Sequence, residues 1–144
     1  MNRTFQTSVE IRSAIGEVWD RLANIEEHVN WMSDVESIKF VSDVRSGVGT
    51  KIRVRTSVGP FRIDDVMEFR DWDPPHSMSV AHVGLVKGSG EFHLTTHDSN
   101  TTLVWIERLL LPWYLGGPVG LILVRPILRK IFAANLRRFA ATFQ

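Results

Sequence analysis

Apolar and polar residues alternate along Phe5 to Ile11, the period-two signature of a strand with one face in a core. The same alternation returns at Lys51 to Val58, where Ile52, Val54, Thr56 and Val58 oppose Lys51, Arg53, Arg55 and Ser57. Gly59-Pro60 turns the chain there, and Phe61 to Arg70 reads as the hairpin partner. Between the first two patterns the period changes. Ser13 is placed to cap a helix from Ala14 to about Ala23, with Glu17 near the capping-box spacing and Ile15, Val18, Trp19 and Leu22 on one face. Asn24 either ends that helix or begins a second short one, Ile25 to Trp31. Val35 to Ser42 reads as a strand closed by a glycine-rich turn, RSGVGT. Asp73-Pro74-Pro75 stops the hairpin partner, because proline cannot donate to a ladder. Met78 to Val83, Gly88 to Thr96 and Thr102 to Leu110 complete a meander, with turns at Gly84 and at Asp98-Ser99-Asn100. From Pro118 to Phe143, Leu121, Val124, Leu128, Phe132, Leu136, Phe139 and Phe143 recur at helical spacing. Pro126 inside that pattern predicts a kink or a division. The pattern predicts one strongly curved, seven-stranded antiparallel sheet, two short helices and a long C-terminal helix.

Composition narrows this picture without naming a reaction. The 144 residues suit one domain, residues 1–144, with no repeat or linker. The absence of cysteine excludes disulfides and thiolate chemistry. The polar start MNRTFQTSVE lacks the apolar stretch of a signal peptide, which makes a cytoplasmic location the expectation. The longest uncharged run, Leu109 to Val124, falls short of the roughly 20 residues a spanning helix needs, and Pro112, Gly116, Gly117 and Pro118 interrupt it. A net charge of +1 hides an asymmetry: from Arg108 onward there are 6 Lys/Arg and no acidic residue. Such a helix suits phosphates or an anionic membrane surface, or else is a solvated outer face.

Local motifs carry a resemblance over essentially the whole chain. HVNWMSDVESIKFVSDVRSGVGT resembles a tryptophan after a second short helix, a valine-rich strand and a Gly-x-Gly-Thr turn. WDPPHSMSV resembles an Asp-Pro-Pro strand start, and VWIERLLLP a penultimate segment before a terminal helix. Together with the element order, these are similar to the START-like, helix-grip fold of the SRPBCC superfamily, in its polyketide cyclase/dehydrase-like branch. The last strand turn departs from the family, reading DSNTT where a glycine usually precedes the threonine. The resemblance implies an α+β helix-grip domain with a hydrophobic cavity between sheet and long helix. It also implies lipids, sterols, polyketides or other apolar molecules as ligands, with cyclisation or dehydration in a minority of members.

Strand parity gives the candidate site. Asp65 shares a row with Phe61, Ile63, Met67 and Phe69; His82 aligns with Met78 and Val80; Glu107 aligns with Leu103, Trp105 and Leu109. A carboxylate in an apolar cavity can abstract a proton beside a carbonyl while His82 protonates an oxygen, so Glu107, Asp65 and His82 are the candidate catalytic residues. The competing reading puts both carboxylates at the rim, meeting Arg108 or Arg53, with His82 bonded to backbone. Candidate ligand contacts are Trp31, the sheet residues Val54, Thr56, Ile63, Met67, Val80, Phe92 and Trp105, and the helix residues Leu121, Val124, Leu128 and Phe132. Trp113 and Tyr114 form a candidate lip over the mouth, a dimer contact, or a membrane-touching loop. Neither a metal nor a cofactor is expected: His93 and His97 lie in strand and turn without a third ligand, and no phosphate loop or dinucleotide fingerprint occurs. Nucleic acid is not expected either, because Phe132 and Phe139 lie on the buried stripe, away from the charges. Three functions follow in order: binding of a small hydrophobic ligand, a polyketide cyclase or dehydratase, and a membrane-docked lipid carrier.

Overall fold

The computed structural model describes residues 4–143. β1 (Thr4–Ile11) is followed by α1 (Ile15–Leu22), a 3-10 turn (Ile25–Glu27) and α2 (His28–Trp31). The strands β2 (Val35–Phe40), β3 (Lys51–Val58), β4 (Phe61–Asp73), β5 (Ser77–Val83), β6 (Lys87–His97) and β7 (Asn100–Leu110) come next. A second 3-10 turn (Trp113–Leu115) leads into α3 (Gly117–Ala141). All seven strands form one antiparallel sheet in the order β1-β7-β6-β5-β4-β3-β2, the helix-grip arrangement. β1 and β2, neighbours along the chain, therefore lie on opposite edges, and α1 and α2 carry the chain between them.

The register explains which face is filled. Opposed pairs such as Val54↔Asp65, Met67↔His82, Phe92↔Trp105 and Phe5↔Glu107 put one residue row of every strand on the concave side. Most of that row is buried: Ile52, Val54, Phe69, Met78, Leu94, Leu103 and Leu109 join Val18, Trp19 and Leu22 of α1. β4 runs 13 residues because a bulge interrupts it between Phe69 and Asp71. The extra residue there turns Trp72 back to the interior, edge-on to Trp19 and Phe69 at 5.4 Å from each.

α3 packs on β1, β7 and α2. Leu121, Phe132, Leu136 and Phe139 of its stripe are buried, whereas Val124, Leu128 and Phe143 are half-buried. A polar clamp sets its position. Asn135, fully buried, donates from Nδ2 to Asp34 at 2.8 Å and accepts from the Ser33 N–H at 3.0 Å. Arg138 bonds the same amide oxygen and, through Nε, the Trp31 carbonyl at 3.1 Å. A chain of rings then fills the space beneath α3: Trp31 to Phe139 at 4.9 Å, Trp105 to Phe132 at 4.8 Å and Phe92 to Trp105 at 5.3 Å.

Some expectations need correction. Ser13 does not cap α1; the helix starts one residue later, with Ala14 as its N-cap, and the Ser13 hydroxyl donates to the Glu17 carboxylate. Pro126 does not divide α3, which runs through it. The backbone hydrogen bond removed there would have reached the carbonyl of Ile122, on a half-exposed turn open to water. β2 ends two residues early, at Phe40, because the Ser42 hydroxyl accepts from the Lys51 N–H and so ends the pairing. The last hairpin turn is tighter than read: Asn100 pairs with His97, leaving Asp98 and Ser99, with Asp98 at a positive φ of 55°.

Candidate functional site

Three strands each place one ionisable side chain on the concave face, and the three meet. His82 of β5 approaches Asp65 of β4 through Nδ1 at 2.8 Å and Glu107 of β7 through Nε2 at 2.6 Å. Glu107 accepts a further hydrogen bond at its other oxygen, from the Trp105 indole N–H at 2.9 Å. All three ionisable groups are buried. Desolvation pulls the imidazole toward its neutral form, but the hydrogen bonds and charges of Asp65 and Glu107 outweigh it. The His82 pKa rises from 6.5 to about 9. At neutral pH the ring is an imidazolium donating both N–H groups to carboxylates.

β6 lies between β5 and β7, so His82 and Glu107 must reach each other over a strand, across roughly 10 Å of backbone spacing. The glycine opposite Glu107, Gly90, makes this possible. A Cβ at Gly90 would stand 2.6 Å from Glu107 Oε2 and 3.2 Å from Val80 Cγ2. Gly84 does the same at the other end, where a Cβ would stand 2.6 Å from Asp65 Oδ1. That oxygen is buried and has no hydrogen-bond partner among the described residues. The reading with both carboxylates at the rim is overturned: Arg108 is paired with Glu91 at 2.8 Å, and both carboxylates bind His82.

Glu107 also faces a cavity of about 230 Å³. Phe5, Gln6 and Thr7 of β1 form one wall, Trp105 and Glu107 of β7 the floor, and Arg129, Phe132 and Ala133 of α3 the other wall. The cluster therefore has one end in contact with open space and the other sealed under Gly84. Of the expected ligand contacts, Trp105 and Phe132 line this cavity. Trp31, Val54, Phe92 and Leu121 are buried in the core, and Thr56, Ile63, Met67, Val80, Val124 and Leu128 are half-buried away from it. The aromatic rings occupy the volume that those residues would otherwise enclose.

Sequence reasoning passed over Phe5, Thr7, Arg129, Gly84 and Gly90. Two signals pointed to them. Phe5 and Thr7 stand on the interior row of β1, opposite Glu107 and Trp105. Arg129 precedes Phe132 by three residues, so the two share a helix face. Gly90 had a weaker signal, a glycine inside an otherwise regular strand.

The fold recurs widely among solved structures. The chain is similar to the Zhui aromatase/cyclase from a Streptomyces species, at 16% identity and a TM-score of 0.81, over 97% of this chain and 92% of that one. A protein from Thermus thermophilus aligns at 16% identity and a TM-score of 0.79, covering 96% and 94%. The major latex-like protein 151 from Panax ginseng aligns at 13% identity and a TM-score of 0.69, covering 99% of both. At these identities the likeness is one of fold. No curated protein matches the sequence. A family model described as polyketide cyclase / dehydrase and lipid transport matches residues 2–144, and the chain belongs to that family.

Proposed function

We propose that this protein binds a small, mostly apolar molecule bearing a carbonyl group and moves a proton on it, the step that cyclisation and dehydration share. The observation that carries this reading is the Asp65–His82–Glu107 chain, which ends at the cavity floor. Both Glu107 oxygens are held in place, by His82 and by Trp105, yet each keeps a lone pair for the ligand. In this reading Glu107 takes the proton from the carbon beside the carbonyl, and the imidazolium stabilises the cluster as charge moves. Asp65 holds the ring in orientation through Nδ1. The apolar walls, Phe5, Trp105 and Phe132, hold the body of the molecule and exclude water. Its size is bounded, since 230 Å³ lies below the range of about 300–1,000 Å³ typical of drug-sized pockets.

The probe is 2-tetralone, a compact bicyclic ketone with exchangeable protons beside its carbonyl. NMR in D2O should show protein-catalysed exchange at those positions, reduced about 100-fold or more in Glu107→Gln. Exchange equal to that in buffer, or unchanged by Glu107→Gln, would sink the reading.

A second reading has its own observation. The 3-10 turn before α3 and the first turns of α3 leave Trp113 87%, Leu123 72% and Val119 63% exposed. Tyr114, Ile122 and Ile127 are more than half exposed beside them, and Arg129 and Lys130 follow on the same helix. An apolar surface with a basic border suits the headgroup region of an anionic membrane, and it supports a carrier that collects its ligand there.

A further inference from the structure

α3 carries five cationic residues, Arg125, Arg129, Lys130, Arg137 and Arg138, and no acidic residue of its own. Arg125 and Arg129 are one helical turn apart, a like-charge spacing that weakens a helix, and Lys130 adjoins them. Residues 108–144 contain no acidic residue. The two arginines differ in their use. Arg125 is tied down, donating to the Thr4 carbonyl at 2.8 Å and lying over the Phe5 ring at 4.5 Å. Arg129 lines the cavity wall and has no hydrogen bond or ion pair among the described residues. It does not turn to the one carboxylate of that cavity, Glu107, whose two oxygens are held by His82 and Trp105. The cavity thus has an apolar middle, an occupied carboxylate at its floor and an uncommitted guanidinium at its side.

We propose that the ligand of this cavity is an amphipathic acid. Its apolar body lies against Phe5, Trp105 and Phe132, and its carboxylate or other oxyanion is received by Arg129. A guanidinium presents paired N–H donors matched to two oxygens of an anion, which a neutral ketone cannot use. Glu107 sets the orientation as well: the anion stays at the arginine wall, because the floor already holds a carboxylate, and the reactive end points inward. This rests on the proton-transfer reading only for which end of the ligand reacts; the charge preference stands on Arg129 alone. The charge also limits the ligand class, excluding neutral sterols and simple ketones as the preferred occupants.

The test is a binding comparison using 2-naphthoic acid and its uncharged counterpart 2-acetonaphthone, followed by calorimetry or tryptophan fluorescence. The acid should bind about tenfold or more tightly than the ketone at low ionic strength, with the advantage shrinking as salt is raised. Arg129→Gln should abolish the preference by weakening the acid far more than the ketone, and Arg129→Lys should restore part of it. Equal affinities for acid and ketone, an acid preference that survives Arg129→Gln, or no binding of either probe would each overturn the proposal. Failure here with Glu107-dependent exchange of 2-tetralone intact would remove the anion site and spare the proton-transfer reading. Arg129-dependent acid binding without any exchange would do the reverse.

Discussion

Two histidines, placed in opposite surroundings, give the fold a pH optimum. His82 is favoured as the cation, with its pKa raised from 6.5 to about 9. Its contribution to stability is fully present below pH 6.5 and is lost as pH rises through about 9. His28 is the opposite case. Burial lowers its pKa to about 4, partly offset by the hydrogen bond its Nε2 makes to the Leu22 carbonyl at 2.6 Å. Its contribution is present above pH 6.5 and is lost as pH falls toward 4. Urea denaturation should therefore give a stability maximum near pH 6.5. The alkaline limb from His82 should amount to roughly 3 kcal/mol, and it should be absent in His82→Gln. An alkaline limb identical in the two proteins would contradict an imidazolium in the fold. At the same scale, two missing side chains matter as much as the three present, since Gly84 and Gly90 vacate the space that the carboxylates occupy.

Among the elements, α3 depends on a single amide. Asn135 bonds Ser33, Asp34 and Arg138 from a fully buried position, so removing it orphans partners on another element and leaves a void. Asn135→Ala should destabilise the protein by about 2–4 kcal/mol, read as a drop in urea midpoint. Asn135→Leu should fail to restore it, because shape without hydrogen bonds leaves the same donors unpaired. That residue also shows how far periodicity carries. The stripe from Leu121 to Phe143 was legible because apolar side chains repeat at helical spacing. Asn135 stands between Phe132 and Leu136 as a polar interruption, and its meaning resides in Ser33 and Asp34, about a hundred residues away. The strand rows behave likewise. Alternation alone was enough to put Asp65, His82 and Glu107 on one face. Their contact was not legible, because β5 and β7 are not adjacent and the gap over Gly90 belongs to no pattern within one strand. Nor was the position of the cavity, which is what remains after Trp31, Phe92, Trp105, Phe132 and Phe139 have packed.

For the molecule as a whole, the sheet and α3 bury one continuous apolar core and leave a second apolar surface uncovered at the start of α3. No described helix is long and apolar enough to cross a membrane. Co-sedimentation should show binding to phosphatidylglycerol vesicles and little to phosphatidylcholine vesicles. Trp113→Ala should weaken the former about tenfold while leaving the melting temperature unchanged, since that ring is 87% exposed. Retention equal to wild type would exclude this surface as the contact. One further consequence comes from the pairing of β1 with β7, in which Phe5 stands opposite Glu107. The cavity lies between the first strand and the last helix, so its walls are joined by the longest loop closures the chain makes. Without α3 the pocket lacks one wall, so ligand capture during refolding would report the docking of α3 on β1 and β7.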